Sequence, residues 1–302
     1  MSPTFLVQNS VLSSTRNRAF SYQAPPLKFK RNLLNLSIVE KQAKRFRTHD
    51  NADQIESASR KLIIIDWDDT LNPSTWCMKT GVLTVRPPSL GEMLILRELS
   101  ELVLSTLKKC MTNGLVVIVT NAETGWVEMS ARSLLPEVSS LLSGIPVISA
   151  RSTFESIVRD APALWKAMTF SRLISEWSTT LDQNSLFGEL HPEVISIGDA
   201  SHEREALFHV NAQHEVKFLA KSIKFIERPT FEDMKKQHEV ILSRLDTVFA
   251  SKSSEDLRFM DGDFSEHPTR FQQPRPHTIP LRTSKRGRSR FASPSRSTTK
   301  IH

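Results

Sequence analysis

Cysteine is scarce: only Cys77 and Cys110 occur in 302 residues. Two cysteines do not make a disulfide framework, and neither has a Cys or His at metal-ligand spacing, so both read as structural in a reducing compartment. No apolar stretch approaches the roughly 20 residues that span a bilayer, so the expectation is a soluble protein. No acidic residue precedes Glu40, and no internal repeat is visible, which excludes solenoid and propeller arrays. With 39% hydrophobic residues, the chain can build one domain of roughly 150–200 residues plus further segments.

Charge is unevenly placed. Residues 1–60 hold 10 Lys/Arg against 4 Asp/Glu, residues 252–302 hold 11 against 5, and the stretch between holds 19 against 24. The net charge of +7 therefore belongs to the ends, and the middle is acidic. A global pI argument for a nucleic-acid-binding core fails on that division. Residues 1–58 lack apolar periodicity and read as a disordered basic segment. Their composition also fits a targeting peptide over residues 1–35, the mitochondrial alternative to a cytoplasmic or nuclear location. The run Lys41–Arg47 (KQAKRFR) fits a nuclear signal or a solvated charged stretch. From residue 252 the composition turns to Ser, Arg and Pro, ending in TSKRGRSRFASPSRS, and reads as a disordered basic tail over 252–302. A folded domain is expected over 59–251.

Within it, KLIIIDWDDTL (residues 61–71) dominates. A short apolar run rich in Ile reads as a buried parallel strand. Asp66, Asp68 and Asp69 follow it, where carboxylates repel one another unless a cation or a shared proton relieves them. Asn72 to Pro88 is broken by prolines and reads as a flap or hairpin. Ser89 and Glu92 are spaced as a capping box before a helix that stops at Asn113-Gly114. LVVIV, residues 115–119, is the second strand, ending at Thr120-Asn121. A helix over 123–135 ends near Pro136, and Val147-Ile148 forms a short third strand before Arg151. Pro162 opens a helix carrying Trp165 and Lys166. Val194–Ile197 is the fourth strand, ending in Gly198-Asp199, with a helix from about Glu203. Val216–Leu219 is the expected fifth strand, and a Thr230/Asp233 capping box opens the last helix. Strands alternating with helices predict an α/β fold: a doubly wound, mainly parallel, five-stranded Rossmann-like sheet.

The chemistry lies where polar residues meet strand ends. Asp66 and Asp68 end the first strand, Thr120 the second and Asp199 the fourth, with Glu203 four residues on. Open α/β sheets bind ligands at the carboxyl ends of their strands. Asp66, Asp199 and Glu203 offer hard oxygen ligands suited to Mg²⁺. Thr120 can donate a hydrogen bond to phosphate, and Lys166 can neutralise its charge. Asp69 reads as a cap for the following turn, and Trp67 and Trp165 as packing residues. His191, His202 and His209 form no recognisable ligand set.

This ordered set resembles the haloacid dehalogenase (HAD) superfamily of phosphotransferases over about residues 61–219. The Asp-X-Asp-X-Thr motif is matched through Asp66, Asp68 and Thr70, the strand-terminal Thr by Thr120, the helix Lys by Lys166, and Gly-Asp with a following acid by Gly198, Asp199 and Glu203. The resemblance implies that Asp66 is a nucleophile forming an aspartyl-phosphate and that Asp68 is the general acid/base. It implies Mg²⁺ held by Asp66, the Asp68 carbonyl and Asp199 with Glu203 in or behind the shell, and a phosphoryl group held by Thr120, Asn121 and Lys166. Glu203 departs from the commoner Asp, and Arg151 is the alternative source of charge to Lys166.

Neither the first nor the third strand is followed by enough chain for a covering domain. A capless site in this superfamily implies bulky or macromolecular substrates such as phosphoproteins, or an oligomer that supplies its own lid. The reading is a Mg²⁺-dependent phosphatase. The alternative is a catalytically weak regulatory or binding protein whose basic tails recruit acidic partners. Contact of those tails with nucleic acid or an anionic membrane has no supporting motif, and the oligomeric state is open.

Overall fold

The computed structural model describes residues 33, 34, 42, 57–181 and 191–267. The first strand, β1 (Lys61–Ile65), is followed by α1 (Ser74–Thr80), α2 (Leu90–Asn113), β2 (Leu115–Thr120), α3 (Trp126–Leu134), α4 (Pro136–Leu142), β3 (Val147–Ser149), α5 (Ala150–Phe154) and α6 (Pro162–Ser178). Then come β4 (Glu193–Gly198), α7 (Ser201–Gln213), β5 (Leu219–Lys224), α8 (Phe231–Ala250), β6 (Glu255–Met260) and β7 (Asp263–Glu266). The strands form one sheet in the order β3-β2-β1-β4-β5-β6-β7. Every pairing is parallel except β6 with β7.

The sheet has apolar side chains on both faces, which explains the unbroken run in β1. Side chains alternate along a strand. Ile63 and Ile65 join Val116, Ile118 and Ile195 in the core under α2 and α8. Leu62 and Ile64 join Val117, Val119 and Val194 in the core under α6 and α7. From β1 the chain runs outward to β2 and β3, then returns to place β4 on the other flank of β1. The carboxyl end of β1 is thus a topological switch point, where a crevice opens between helices leaving in opposite directions.

Both expected capping boxes are present, Ser89 with Glu92 and Thr230 with Asp233. Pro136 ends α3 and also opens α4 as its first residue, a second helix the periodicity did not separate. The Asn72–Pro88 segment is α1, closed by Gly81 in the left-handed region, and a turn with a Val82–Arg86 bridge. Cys77 and Val82 are buried beneath it, so it is a packed shoulder. Both cysteines are buried free thiols.

Three expectations are corrected. The sheet has seven strands, not five, and the domain does not end at residue 251. In β6 and β7 apolar residues are sparse, Leu257, Phe259, Met260 and Phe264, so the segment reads as a polar tail. Yet Phe259 and Phe264 stack edge to face at 5.0 Å, and Phe264 lies 5.7 Å from Phe225 of the β5 end. The fifth strand is Leu219–Lys224 rather than Val216–Leu219. Two buried lysines break its apolar pattern, and Lys221 is satisfied by Glu193 at 2.7 Å and by the carbonyls of Val248 and Ser251. Finally, two residues of the segment expected to be disordered are buried in the domain. The Leu34 N–H donates to Glu176 at 2.9 Å. Gln42 donates to the Val116 carbonyl at 3.1 Å and accepts its N–H at 3.0 Å. The register of β3 starts opposite Ile118, so Gln42 satisfies backbone that the short strand leaves open. The rest of the expectations for 1–58 and 252–302 lie outside the described residues.

Among the described residues no helix is long and apolar enough to cross a membrane.

A chain ended after Ser251 loses Phe259, Phe264 and the Arg204–Asp256 ion pair of 2.6 Å, and it uncovers the edge of β5. It is expected to be less stable than a chain ended after His267 by at least about 3 kcal/mol, the cost of removing a buried Phe. Urea unfolding of the two chains checks this, and equal midpoints would show that β6 and β7 contribute nothing.

Candidate active site

The turn after β1 is built to present two of its three aspartates. The Asp66 N–H still donates to Ile197 of β4 at 2.9 Å, so Asp66 leaves the sheet with its backbone fixed. The chain then wraps on the Trp67 carbonyl, which accepts from Leu71 at 2.9 Å and Asn72 at 2.8 Å. Trp67 and Leu71 are fully buried pegs beneath the turn, and the Trp67 indole donates to Ser130 at 2.9 Å. Asp69 sits in the left-handed region at φ 56°. Its carboxylate accepts the Thr75 N–H at 2.7 Å and the Thr75 hydroxyl at 2.5 Å, so it fastens α1. Asp66 and Asp68 remain for the crevice.

Lys166 comes to Asp66 from 100 positions away. Its ammonium has three protons and three acceptors: Asp66 Oδ1 at 2.5 Å, the Val119 carbonyl at 2.6 Å and Glu203 Oε1 at 2.9 Å. Lys166 was expected to meet phosphate; here its charge acts through the two carboxylates. Burial pulls the ammonium down, but Asp66 and Glu203 more than reverse this and hold it above the ordinary lysine range. Arg151, the alternative, is half-exposed and pairs with Glu155 at 3.0 Å and Glu123 at 3.5 Å, so Lys166 is the buried cation of the site.

Glu203 reaches Lys166 across Gly198. A Cβ on Gly198 would lie 2.6 Å from Glu203 Cγ, so a side chain there would expel the glutamate. Glu203 Oε2 is buried with no hydrogen-bond partner. The Asp199 peptide is pinned on both sides. Its N–H donates to Thr70 Oγ1 at 3.0 Å, and its carbonyl accepts from Lys224 Nζ at 2.6 Å. Thr70 is held in turn by His238, whose Nε2 lies 2.9 Å from the Thr70 carbonyl.

Thr120 Oγ1 accepts the Ala122 N–H at 2.9 Å and donates to Asp68 Oδ2 at 3.2 Å. Trp126 and Ser74 donate to Asp68 Oδ1, the former at 2.8 Å. Asn121 lies at the edge of the site, tethered to the Pro162 carbonyl at the start of α6 by a long contact of 3.4 Å. The structure thus gathers Asp66, Asp68, Thr120, Lys166, Asp199 and Glu203 at one end of the sheet. Trp67 and Trp165 are buried packing residues. Sequence reasoning assigned no role to Trp126, Ser74, Lys224 or His238.

The cluster is short of positive charge. Burial pushes the Asp66 carboxyl up to about 7, with Lys166 opposing and Glu203 and Asp68 adding repulsion. Burial and then Asp66 and Glu203 push Asp199 up to about 9. Among the described residues no three His, Cys, Asp or Glu side chains form a ready metal cluster. A hard cation fits nonetheless. Asp66, Asp199 and the Asp68 carbonyl would be its oxygen donors, with the unpartnered Glu203 oxygen behind them. Two or three protein oxygens suit Mg²⁺, which keeps several positions for water and substrate phosphate.

Comparison with known proteins assigns no family: no family model matches the chain, no curated protein matches it, and no solved structure does.

His238 generates a pH prediction. It is fully buried, and burial lowers its pKa from 6.5 to about 4. Above pH 6.5 the ring is neutral in both folded and unfolded chains, so its contribution is complete. As pH falls from 6.5 towards 4, the unfolded chain takes up a proton that the folded chain refuses, and stability is lost. The shift corresponds to roughly 3 kcal/mol by pH 4. Unfolding free energies of wild type and His238→Gln across this window should converge as pH falls; parallel curves would disprove the linkage.

Proposed function

We propose that the protein is a Mg²⁺-dependent phosphatase of the HAD type, hydrolysing phosphomonoesters through an aspartyl-phosphate on Asp66. One observation carries the reading. At the switch point of a parallel sheet, a buried aspartate has one oxygen fixed by a buried lysine, and a second aspartate two residues on is hydrogen-bonded to the Thr that ends the neighbouring strand. A solvated acidic turn needs neither the lysine nor the threonine.

In this reading Asp66 Oδ2, the oxygen Lys166 leaves free, attacks phosphorus as the ester P–O bond breaks. Asp68 gives its proton to the departing oxygen. Water then attacks phosphorus, Asp68 takes that water's proton, and inorganic phosphate leaves with Asp66 restored. Mg²⁺ at Asp66, the Asp68 carbonyl and Asp199 would supply the positive charge that lets an anionic phosphate approach an anionic carboxylate. Thr120 and backbone near Asn121 would hold the phosphoryl oxygens. Lys166 and Glu203 fix the nucleophile and its surroundings.

Bulky or macromolecular phosphate esters, phosphoproteins among them, are the favoured substrates. Between β1 and α2 stands only the packed α1 shoulder, and between β3 and α6 only the short α5, so nothing there encloses a small molecule. A regulatory reading, with the site retained for phosphate or Mg²⁺ sensing and the basic ends recruiting acidic partners, is favoured by one detail. Asp68 accepts three hydrogen bonds, an arrangement that also suits a fixed acceptor with no proton to transfer.

Asp66→Asn should abolish turnover with the fold intact, because the amide is nearly isosteric but a poor nucleophile. Asp68→Asn should still be phosphorylated by an aryl phosphate yet release phosphate slowly, about 10²–10⁴-fold down, for want of a base. Intact-mass measurement should therefore find a phosphate-sized adduct on the Asp68 variant and none on the Asp66 variant. Full activity in Asp66→Asn would remove the nucleophile. Wild type inert towards a broad phosphate panel would favour the regulatory reading. For the metal, Asp199→Asn should weaken Mg²⁺ binding measured by calorimetry, and unchanged affinity would refute the ligand set.

A further inference from the structure

The hydrogen bonds on Asp68 are unequal. Oδ1 accepts from the Trp126 indole Nε1 at 2.8 Å and from the Ser74 hydroxyl. An indole N–H can only donate. Asn72 Nδ2 donates to Ser74 Oγ at 2.8 Å, which leaves the Ser74 proton pointing at Asp68. Oδ1 is therefore held as an acceptor by one obligate donor and one oriented donor. Oδ2 meets Thr120 Oγ1 at 3.2 Å, beyond the usual range for an O–H···O bond. Thr120 Oγ1 already accepts the Ala122 N–H, so in the present arrangement its proton goes to Asp68.

We propose that Trp126 is a positioning residue for the acid/base Asp68: together with Ser74 it fixes Oδ1 as an acceptor, so that Oδ2 alone carries the transferred proton. The inference rests on the phosphatase reading. A proton on Oδ1 would set an O–H against two donors, whereas a proton on Oδ2 displaces only the long Thr120 contact. Thr120 then turns its own proton away from Asp68, which frees it for a phosphoryl oxygen. As the ester P–O bond breaks, the Oδ2 proton passes to the leaving oxygen and the Thr120 proton can return to Asp68. Water attack on the aspartyl-phosphate runs the same exchange backwards. Arming the acid and supplying a phosphate donor are thereby one event.

Trp126 starts α3 immediately after Gly125, which is in the left-handed region at φ 93°. Its ring packs against the core on the α2 side of the sheet. The rigid helix start, rather than a mobile loop, sets the donor's position. Trp126→Phe keeps an aromatic ring and removes the donor.

The test uses the full chain with Mg²⁺ and phosphate monoesters ranging from p-nitrophenyl phosphate to an alkyl phosphate. Good leaving groups need little protonation and poor ones need it fully. Trp126→Phe is expected to lose about 10- to 100-fold in kcat/KM on the alkyl ester, the scale of one hydrogen bond to a charged group, and under about 3-fold on the aryl ester. Ser74→Ala should tilt the series the same way, and Asp68→Asn should tilt it further. A purely structural role for Trp126 would lower every substrate alike. If Asp68→Asn shows the tilt while Trp126→Phe loses activity uniformly or not at all, the positioning role falls and the phosphatase reading stands. If wild type hydrolyses none of the esters, both fall. Should Trp126→Phe fail to fold, Ser74→Ala reads the same oxygen, and an unchanged slope there overturns the proposal.

Discussion

The ion cluster of Lys166 with Asp66 and Glu203 is the constraint that the surrounding structure serves. Three charges with less than one-tenth exposure are costly unless each finds partners, because burial removes their hydration. Lys166 is fully satisfied by two carboxylates and the Val119 carbonyl. The carboxylates are not: one cation faces Asp66, Glu203 and the nearby Asp199, and one Glu203 oxygen has no partner. This imbalance gives the site its chemical character. Lys166 is the cation paired with these acids, and either bound protons or a further cation would relieve the excess of negative charge. The Mg²⁺ of the proposed function would do so.

Much of the fold can be understood as holding that cluster in register. β1 lies between β2 and β4, so the residues following all three strands emerge side by side. Gly198 leaves room for the Glu203 side chain at the start of α7. Asn121 ties the end of β2 to the first turn of α6, from which Lys166 projects. The Asp199 peptide is held by Thr70 on one side and Lys224 on the other, and Thr70 is itself held by His238 from α8. These supports come from elements far apart in sequence, which makes the site a property of the folded sheet rather than of any local motif.

That distinction accounts for what could be read in advance. The run of apolar residues ending in Asp66 was legible because a strand buried on both faces has no polar alternation to blur it. Ser89 with Glu92, and Thr230 with Asp233, were legible because capping is local. The family resemblance brought Lys166 to the site as a phosphate ligand, and nothing in the sequence specified its contact with Asp66. Where reading failed, buried polar residues broke the apolar signal or sparse apolar residues carried it. Lys221 and Lys224 disguised β5, since a buried lysine is acceptable only with partners that the sequence does not show. β6 and β7 were taken for tail because an edge strand buries one face lightly. Leu34 and Gln42 were lost in a segment whose composition is otherwise polar. Trp126 and Ser74 were assigned no role, because their role depends on where α1 and α3 begin relative to Asp68.

Charge outside the site bears on how a phosphate would reach it. With β6 and β7 included, residues 61–267 hold 21 Lys/Arg against 29 Asp/Glu, whereas residues 268–302 hold 9 Lys/Arg and no acid. An acidic domain repels an anionic substrate at a distance, and the cation that relieves repulsion within the crevice acts only at short range. Charges on a linked basic segment have the sign to offset the long-range term, and their influence fades beyond roughly 8 Å at physiological salt. Under the proposed function, a basic segment of this kind would favour large partners, and a small phosphate ester would gain little. Among the described residues the connections after β1 and β3 hold only short helices, which supports the same proposed class of substrate on steric grounds. The proposed preference for a macromolecular phosphate ester draws its support from two independent features, the distribution of charge along the chain and the short connections at the carboxyl end of the sheet.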